Sequence, residues 1–326
     1  MKKAVLFCLV LFGSVLFVFA GGGRDTGPWP HGRPINFVIP WAVGGGTDIG
    51  ARLLVPYLER ELGTTVTVTN PTGAAGWVGW ERVLATPPDG FTITMVNMPA
   101  VQLGYMDPRL GRRFTVEDFE FIGNHVTDPM GFAIRPDETR FHDLQSLIEF
   151  NRNNYVTGAT TGLTSPHTLL MAQFQPAVGT DITLVPHTGF GESLTAFLGG
   201  HVDVLIATVG EFLVPEQQGR LRTIVLFTEA DYNPLMPDVP VFNRMGISTT
   251  PIHTYSQRGL AVRRGTPPEI VQILTEAVRN AVNDPSHIAR MTEVGLHVDY
   301  IPPAQHTIVS REHEDVIRRF RHVFGW

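Results

Sequence analysis

Residues 34–62 read PINFVIPWAVGGGTDIGARLLVPYLEREL. The apolar run at 35–39 is too short for a helix and suits a buried strand. Pro40 ends it, and Gly44, Gly45 and Gly46 make a turn without Cβ atoms, which lets backbone approach a ligand closely. Thr47 and Asp48 are N-cap residue types, and Ile49, Leu53, Tyr57 and Leu58 then recur at helical spacing. The expected unit is a strand, a glycine loop and a helix N-terminus whose free N–H groups bind anions without needing a cation. Pro56 inside the helical pattern predicts a kink or a break. A phosphate-binding P-loop needs Lys and then Ser or Thr after its last glycine, and the dinucleotide fingerprint needs a glycine where Ile49 stands. Two readings of the loop remain, a ligand cradle and a tight turn with no ligand.

The surrounding chain narrows the choice. At 326 residues it is long for one domain, and two domains are expected. A hydrophobic content of 43% with 17% charged residues is a globular composition. Residues 1–20 read as a signal peptide: Lys2 and Lys3 precede an apolar run, and Val18 and Ala20 fit the small-residue cleavage pattern. The run is short for a membrane span. Residues 19–22, FAGG, resemble a lipoprotein processing box with Gly22 in place of the acylated cysteine. The only cysteine, Cys8, lies in the segment expected to be removed, so disulfides, thiol nucleophiles and thiolate metal sites are not expected. Lys2 and Lys3 are also the only lysines, which excludes Schiff-base and pyridoxal-phosphate chemistry from the mature chain and predicts no cofactor of that kind. Without them the formal balance moves from 25 − 31 = −6 to 23 − 31 = −8, and no basic cluster invites nucleic acid.

Residues 21–33 are Gly, Pro and polar, a linker into the first strand. Gly63 is a natural helix C-cap, residues 65–69 alternate as a second strand should, and residues 91–96 form a third after the Asp89-Gly90 turn. Gly73, Gly76 and Gly79, spaced by three beside Trp77 and Trp80, favour close backbone packing over ligand contact. The order βαβαβ begins a mostly parallel sheet with ligands at strand C-terminal ends. Strands at 155–159, 182–185, 202–207 and 223–227 alternate with helical segments later in the chain.

The runs VIPWAVGGGTDIGARLL, VTVTNPTGAAGWVGWERV and PPDGFTITM, followed by GATTGLTSPHTLLM, VPHTGFGESLTAFLGGHVDVLIA, LMPDVPVFNRMGI and RRGTPPEIVQILTEAV, resemble the extracytoplasmic Bug-type receptors of tripartite tricarboxylate transporters. The resemblance implies an α/β, two-lobed periplasmic solute-binding fold of the flytrap type, with the ligand cleft between lobes. It implies lobe one at 34–130 plus 258–326 and lobe two at 131–257, with a small organic di- or tricarboxylate as ligand and membrane permease subunits as partners.

Gly44, Gly45, Gly46, Thr47 and Asp48, with Trp41 before them and Asn97 after the third strand, are the ligand residues expected from lobe one. From lobe two the expectation is Thr160, Gly162, Ser165, His167, His187, Thr188, Gly189 and Thr208. Pro166 suits a first helical turn and makes Ser165 an N-cap, so a second helix N-terminus would face the first across the cleft. His167 either donates to the ligand or packs within its own helix. His187-Thr188-Gly189 matches a family loop of Tyr, Lys or Arg, and Gly; Thr188 replaces the cation there, so the pocket is expected to rely on backbone dipoles and water. Catalytic signatures are missing. No G-x-S-x-G elbow occurs, and His313-Glu314 lacks the second histidine of a zinc-protease motif. A ligand-presenting sensor component and an exported hydrolase are the other classes to weigh.

Overall fold

A computed structural model describes residues 29–326 apart from residue 253. The signal-peptide reading of residues 1–20 and most of the 21–33 linker lie outside the described residues. The chain opens with β1 (Ile35–Val38), α1 (Gly46–Leu62), β2 (Val66–Thr69), α2 (Trp77–Leu84), β3 (Thr92–Met98) and α3 (Ala100–Met106). A long strand β4 (Phe119–Ile134) leads into α4 (Leu144–Asn151), β5 (Val156–Thr160), α5 (Pro166–Val178), β6 (Ile182–Pro186), α6 (Phe190–Leu198), β7 (Val204–Thr208), α7 (Val209–Gln217) and β8 (Arg222–Phe227). Strand β9 (Tyr255–Arg263) is followed by α8 (Pro268–Val282), α9 (Pro285–Glu293) and α10 (Pro303–Phe320).

Strand β1 pairs in parallel with β2 and β3, and β5 with β6 and β7. All antiparallel pairs involve β4 or β9. These two strands tie the halves together. Along residues 119–129 β4 pairs with β9, and from Met130 to Ile134 it pairs with β7 and β8 instead. Each half has its own apolar core. Ile35, Phe37, Leu54, Leu58, Ile93 and Val278 pack in the first. In the second, Phe132 meets Phe174 edge-on at 5.1 Å, and Phe227 lies 5.1 Å from Phe242. Burying an aromatic or branched side chain contributes roughly 1.5–3 kcal/mol, so two such clusters define two separately cored lobes joined by a two-stranded ribbon.

Local signals behave largely as the residues dictate. Gly63 caps α1 in the left-handed region at φ 64°, its N–H donating to the Glu59 carbonyl. Of the kink or break expected at Pro56, the break does not occur: α1 runs through it. The Pro56 ring is exposed, so the Arg52 carbonyl deprived of a donor by Pro56 lies on the solvent side of the helix. Gly79 serves packing: a Cβ there would stand 2.6 Å from Pro40 Cβ and 3.0 Å from the Pro71 carbonyl oxygen. Backbone cannot yield as a side-chain tip can. Gly79→Ala is therefore expected to lose about 1–3 kcal/mol in urea unfolding, despite alanine's better helix propensity. Unchanged stability would show that α2 moves freely against the start of the glycine loop.

Candidate functional site

Where the ribbon joins the lobes, loops from both form a cleft of ≈ 460 Å³. On the first wall, Gly44 takes φ 82°, a conformation that L side chains rarely adopt, and this turns the chain into α1. The N-cap is Gly45, two residues before Thr47, the first of the expected N-cap residue types, and no side chain caps the helix. The N–H groups of the first turn, at Gly46, Thr47 and Asp48, therefore start the helix without a side-chain partner. Asp48 does not face the cleft. Its carboxylate accepts from Gly44 N–H, Arg52 Nε and Asn70 Nδ2, each at 2.9 Å, and it braces the loop from behind. Burial alone would raise its pKa, and the hydrogen bonds from Arg52, Gly44 and Asn70 outweigh that and hold it below the usual carboxylate range. Asn70 also donates to the Trp41 carbonyl at 3.0 Å. Asn97, buried at the end of β3, donates from Nδ2 to Thr47 Oγ1 at 2.9 Å, and its Oδ1 has no partner among the described residues.

The second wall is built from the ends of β5, β6 and β7. Ser165 is the N-cap residue of α5 with Pro166 in the first turn, as expected, but its hydroxyl donates to the Gly162 carbonyl at 2.9 Å and does not cap. Thr160 Oγ1 donates to the same carbonyl at 3.2 Å. Thr160, Gly162 and Ser165 thus close the loop from behind the cleft. His167 is buried and lines the cleft; its Nδ1 lies 3.0 Å from Thr161 Oγ1 and 3.2 Å from Ser165 Oγ, and its Nε2 has no partner among the described residues. Burial pulls its pKa down to about 3, so the ring is neutral at ordinary pH. His187 extends the β6 pairing, its N–H donating to the Thr160 carbonyl at 2.8 Å, and it stays out of the lining.

Thr188, Gly189 and Thr208 do line the cleft; α6 starts at Gly189 without a side-chain cap, whereas the start of α7 is occupied by the chain's own groups. The Thr188 N–H donates to Glu192 Oε2 at 3.0 Å. Thr208 donates to Glu211 Oε2 from its N–H at 3.1 Å and from its hydroxyl at 3.2 Å. The Gly210 N–H donates to Asp128 Oδ1 at 3.1 Å.

No sequence motif places Arg258 at the site. It sits on β9 opposite Asn97 of β3, with 4% of its side chain exposed. Nη2 donates to Asp128 Oδ2 at 2.9 Å, while Nε and Nη1 have no partner among the described residues. A Cβ on Gly46 would stand 3.1 Å from Nη1 and Nη2, so the guanidinium lies directly against the first turn of α1. Burial pushes the Asp128 carboxyl up, opposed by Arg258, by the Thr208 hydroxyl and by the Gly210 N–H. The expectation of a cleft without a cation is thereby corrected: the cation comes from the crossing ribbon, not from position 188. Alternation along β9 turns Ser256 and Arg258 into this cleft, and Tyr255 and Gln257 into a second cavity of ≈ 680 Å³ on the opposite face. The larger cavity has no glycine loop leading into a helix among its lining residues, and the buried cation belongs to the smaller one.

Two α/β lobes, two crossing strands and a cleft between them that holds a buried arginine define a periplasmic-type solute-binding protein. A family model described as tripartite tricarboxylate transporter family receptor matches residues 51–319, and the chain belongs to that family. The UPF0065 protein in the gbd 5′ region of Cupriavidus necator is 30% identical over 288 residues, covering 86% of this chain and 84% of its own. Protein BugT of Bordetella pertussis is 27% identical over 277 residues, covering 83% and 82%. Among solved structures, MatC of Rhodopseudomonas palustris with bound malate aligns with a TM-score of 0.76 at 25% identity, over 89% of this chain and 98% of that one. An R. palustris protein solved with adipate shares the fold, with a TM-score of 0.80 at 22% identity over 91% and 98%.

Proposed function

We propose that the protein captures a small organic carboxylate outside the cytoplasm and delivers it to the membrane subunits of a tripartite tricarboxylate-type transporter. The observation that carries this is the buried Arg258 guanidinium, with two unpartnered nitrogens, set against the uncapped N-terminal turn of α1. A charge-assisted pair from arginine and the partial positive charge of a helix N-terminus both favour a carboxylate there. Membership of the receptor family and the malate held by MatC support the same reading. The lobe limits that go with it are 34–130 plus 258–326 and 131–257; what supports them is the change of partners along β4 at Met130. Export rests on the sequence pattern of residues 1–20. The act is binding, with closure of the lobes as the signal to the permease.

Mass spectrometry of small molecules released on denaturing the cell-derived protein tests the reading. An organic acid in near-stoichiometric amount is expected, and recovery of only a carboxylate-free compound would overturn it. The backbone cradle has its own test by calorimetry. Gly46→Val should cost binding at least tenfold more than Thr188→Ala, because a side chain at 46 meets the Arg258 guanidinium, whereas the Thr188 hydroxyl lies at an exposed loop. Equal losses would replace the cradle by a side-chain site.

A further inference from the structure

Two helices bring their first turns to the cleft from opposite walls, and behind the cleft both meet the same side chain. Gly46 and Gly50 lie four residues apart on one face of α1. A Cβ on Gly46 would meet the Arg258 guanidinium, and a Cβ on Gly50 would stand 3.3 Å from Leu296 Cδ1. Across the cleft, Thr208 and Glu211 at the start of α7 line it. A Cβ on Gly210 between them would stand 2.6 Å from Leu296 Cδ2, 3.0 Å from Asp128 Oδ2 and 3.1 Å from the Gly295 carbonyl oxygen. Three residues on, a Cβ at Gly295 would stand 2.8 Å from Leu213 Cδ2 and 2.9 Å from Leu213 Cβ. Leu296 is 2% exposed, each of its methyls rests against a helical glycine, and it packs with Val126 and Met291, so it cannot swing aside cheaply.

This contact lies on the cleft side of the ribbon. Val126 and Asp128, two residues apart on β4, share a face, whereas Thr127 and Pro129 line the cavity on the other face. A second apolar contact between the lobes, Leu169 of α5 with Leu103 and Ile317, sets side chains against side chains. At Gly210 the helix backbone itself meets Leu296 with no Cβ between them. Resting on the lobe limits proposed above, we infer that Leu296 is a positioning residue for ligand capture: it is the stop on which α7 of lobe two comes to rest against lobe one, and the glycines at 210 and 295 set how far the cleft can close. The Gly210 N–H is held by Asp128, and Asp128 by Arg258, so one turn of α7 carries the stop, a link to the ion pair and two cleft-lining residues. A methyl group added at 210 wedges between the lobes on the cleft side and holds the walls apart. Alanine is the better helix former, so helix propensity alone predicts a harmless or favourable change, whereas the stop predicts lost closure.

The sole cysteine is Cys8, so the mature protein can carry one spin label per lobe through Thr67→Cys and Thr183→Cys, exposed positions on β2 and β6 at the two ends of the sheet order. Pulsed electron–electron distance measurement on protein as purified should show the shortest populated distance lengthened in Gly210→Ala. It should return to the parent value when Leu296→Ala is added, because the group that the new Cβ would strike is gone. Two independent packing defects would add instead. By calorimetry with the organic acid recovered from the denatured parent, Gly210→Ala should weaken binding about tenfold or more, following the fraction still able to close, and the double variant should recover it. An unchanged distance in Gly210→Ala, or a double variant worse than either single one, overturns the stop and leaves the carboxylate reading standing. If no organic acid is recovered, that reading fails by itself and the distances alone decide the stop. If Gly210→Ala does not fold by circular dichroism, Leu296→Ala decides: with the stop cut back the shortest distance should fall, and an unchanged one overturns the inference.

Discussion

Arg258→Ala is expected to abolish measurable ligand capture and to lower stability by roughly 3–5 kcal/mol, the usual cost of leaving one member of a buried ion pair uncompensated. Both effects follow from the same geometry. The guanidinium is the cation beside α1, and it is also the partner of Asp128, which is 1% exposed. Replacing Arg258 and Asp128 together by apolar residues of similar volume separates the two roles. Stability should return to within about 1–2 kcal/mol of the parent, since such replacements of buried pairs are often neutral, whereas binding should stay lost. Urea unfolding and calorimetry on the single and double variants check this. Restored binding in the apolar pair would show that Arg258 serves the fold alone.

The second large effect is with acid. His125, His167, His287 and His306 are all buried, and burial holds His167 and His306 down to about 3, His287 to about 4 and His125 well below the usual imidazole range. In the unfolded chain each titrates near 6.5. As pH falls below that value the unfolded state takes up protons that the folded state refuses. The stability these neutral rings carry is thus full above pH 6.5 and is lost as pH falls toward 3–4. The slope is about 1.4 kcal/mol per pH unit for each ring, or roughly 5 for all four. Asp128 and Glu211 act in the opposite sense, because their raised folded-state values let the native protein protonate first. They offset part of the loss. Denaturant unfolding should therefore show a steep decline between about pH 6 and pH 4, above the range where most carboxylates titrate. His306, packed on Phe121 with neither nitrogen partnered, is the cleanest control: His306→Leu should flatten the decline by about 1.4 kcal/mol per pH unit. A flat profile down to pH 4.5 would contradict the assignment of neutral buried rings.

What is legible in the sequence is local. The βαβαβ opening, the glycine loop, the Gly63 cap and the Ser165-Pro166 helix start are set by residues within a few positions of one another, and each is found within a residue or two of its expected place. Asp48 lies one layer deeper than expected: four residues before Arg52 on the same helix, it turns back onto the loop instead of toward a ligand. The self-capping of α7 is readable, since Thr208 and Glu211 have the spacing of a capping box, and it removes an anion site that helix polarity alone would suggest. Arg258 is different. Its place in the cleft depends on β9 returning between β3 and β4, so no window along the chain shows it beside Gly46 or Asp128. An arginine directly before the apolar run GLAV, in a strand buried from Ser256 to Val262, is the only hint. The same holds for His125 and His287, 162 residues apart, whose Nε2 atoms meet at 2.8 Å only through the packing of α9 on the first lobe.

On the proposed function, the two lobes close on a ligand gripped from both sides. Small-angle X-ray scattering tests it most directly, on protein stripped of its co-purifying small molecule and on protein resaturated with it. A smaller radius of gyration is expected with the molecule bound, because a ligand held by Gly46 and Arg258 on one side and by Thr188 and Gly189 on the other favours the state in which the two walls lie closest. An unchanged radius, with calorimetry showing full occupancy, would contradict it.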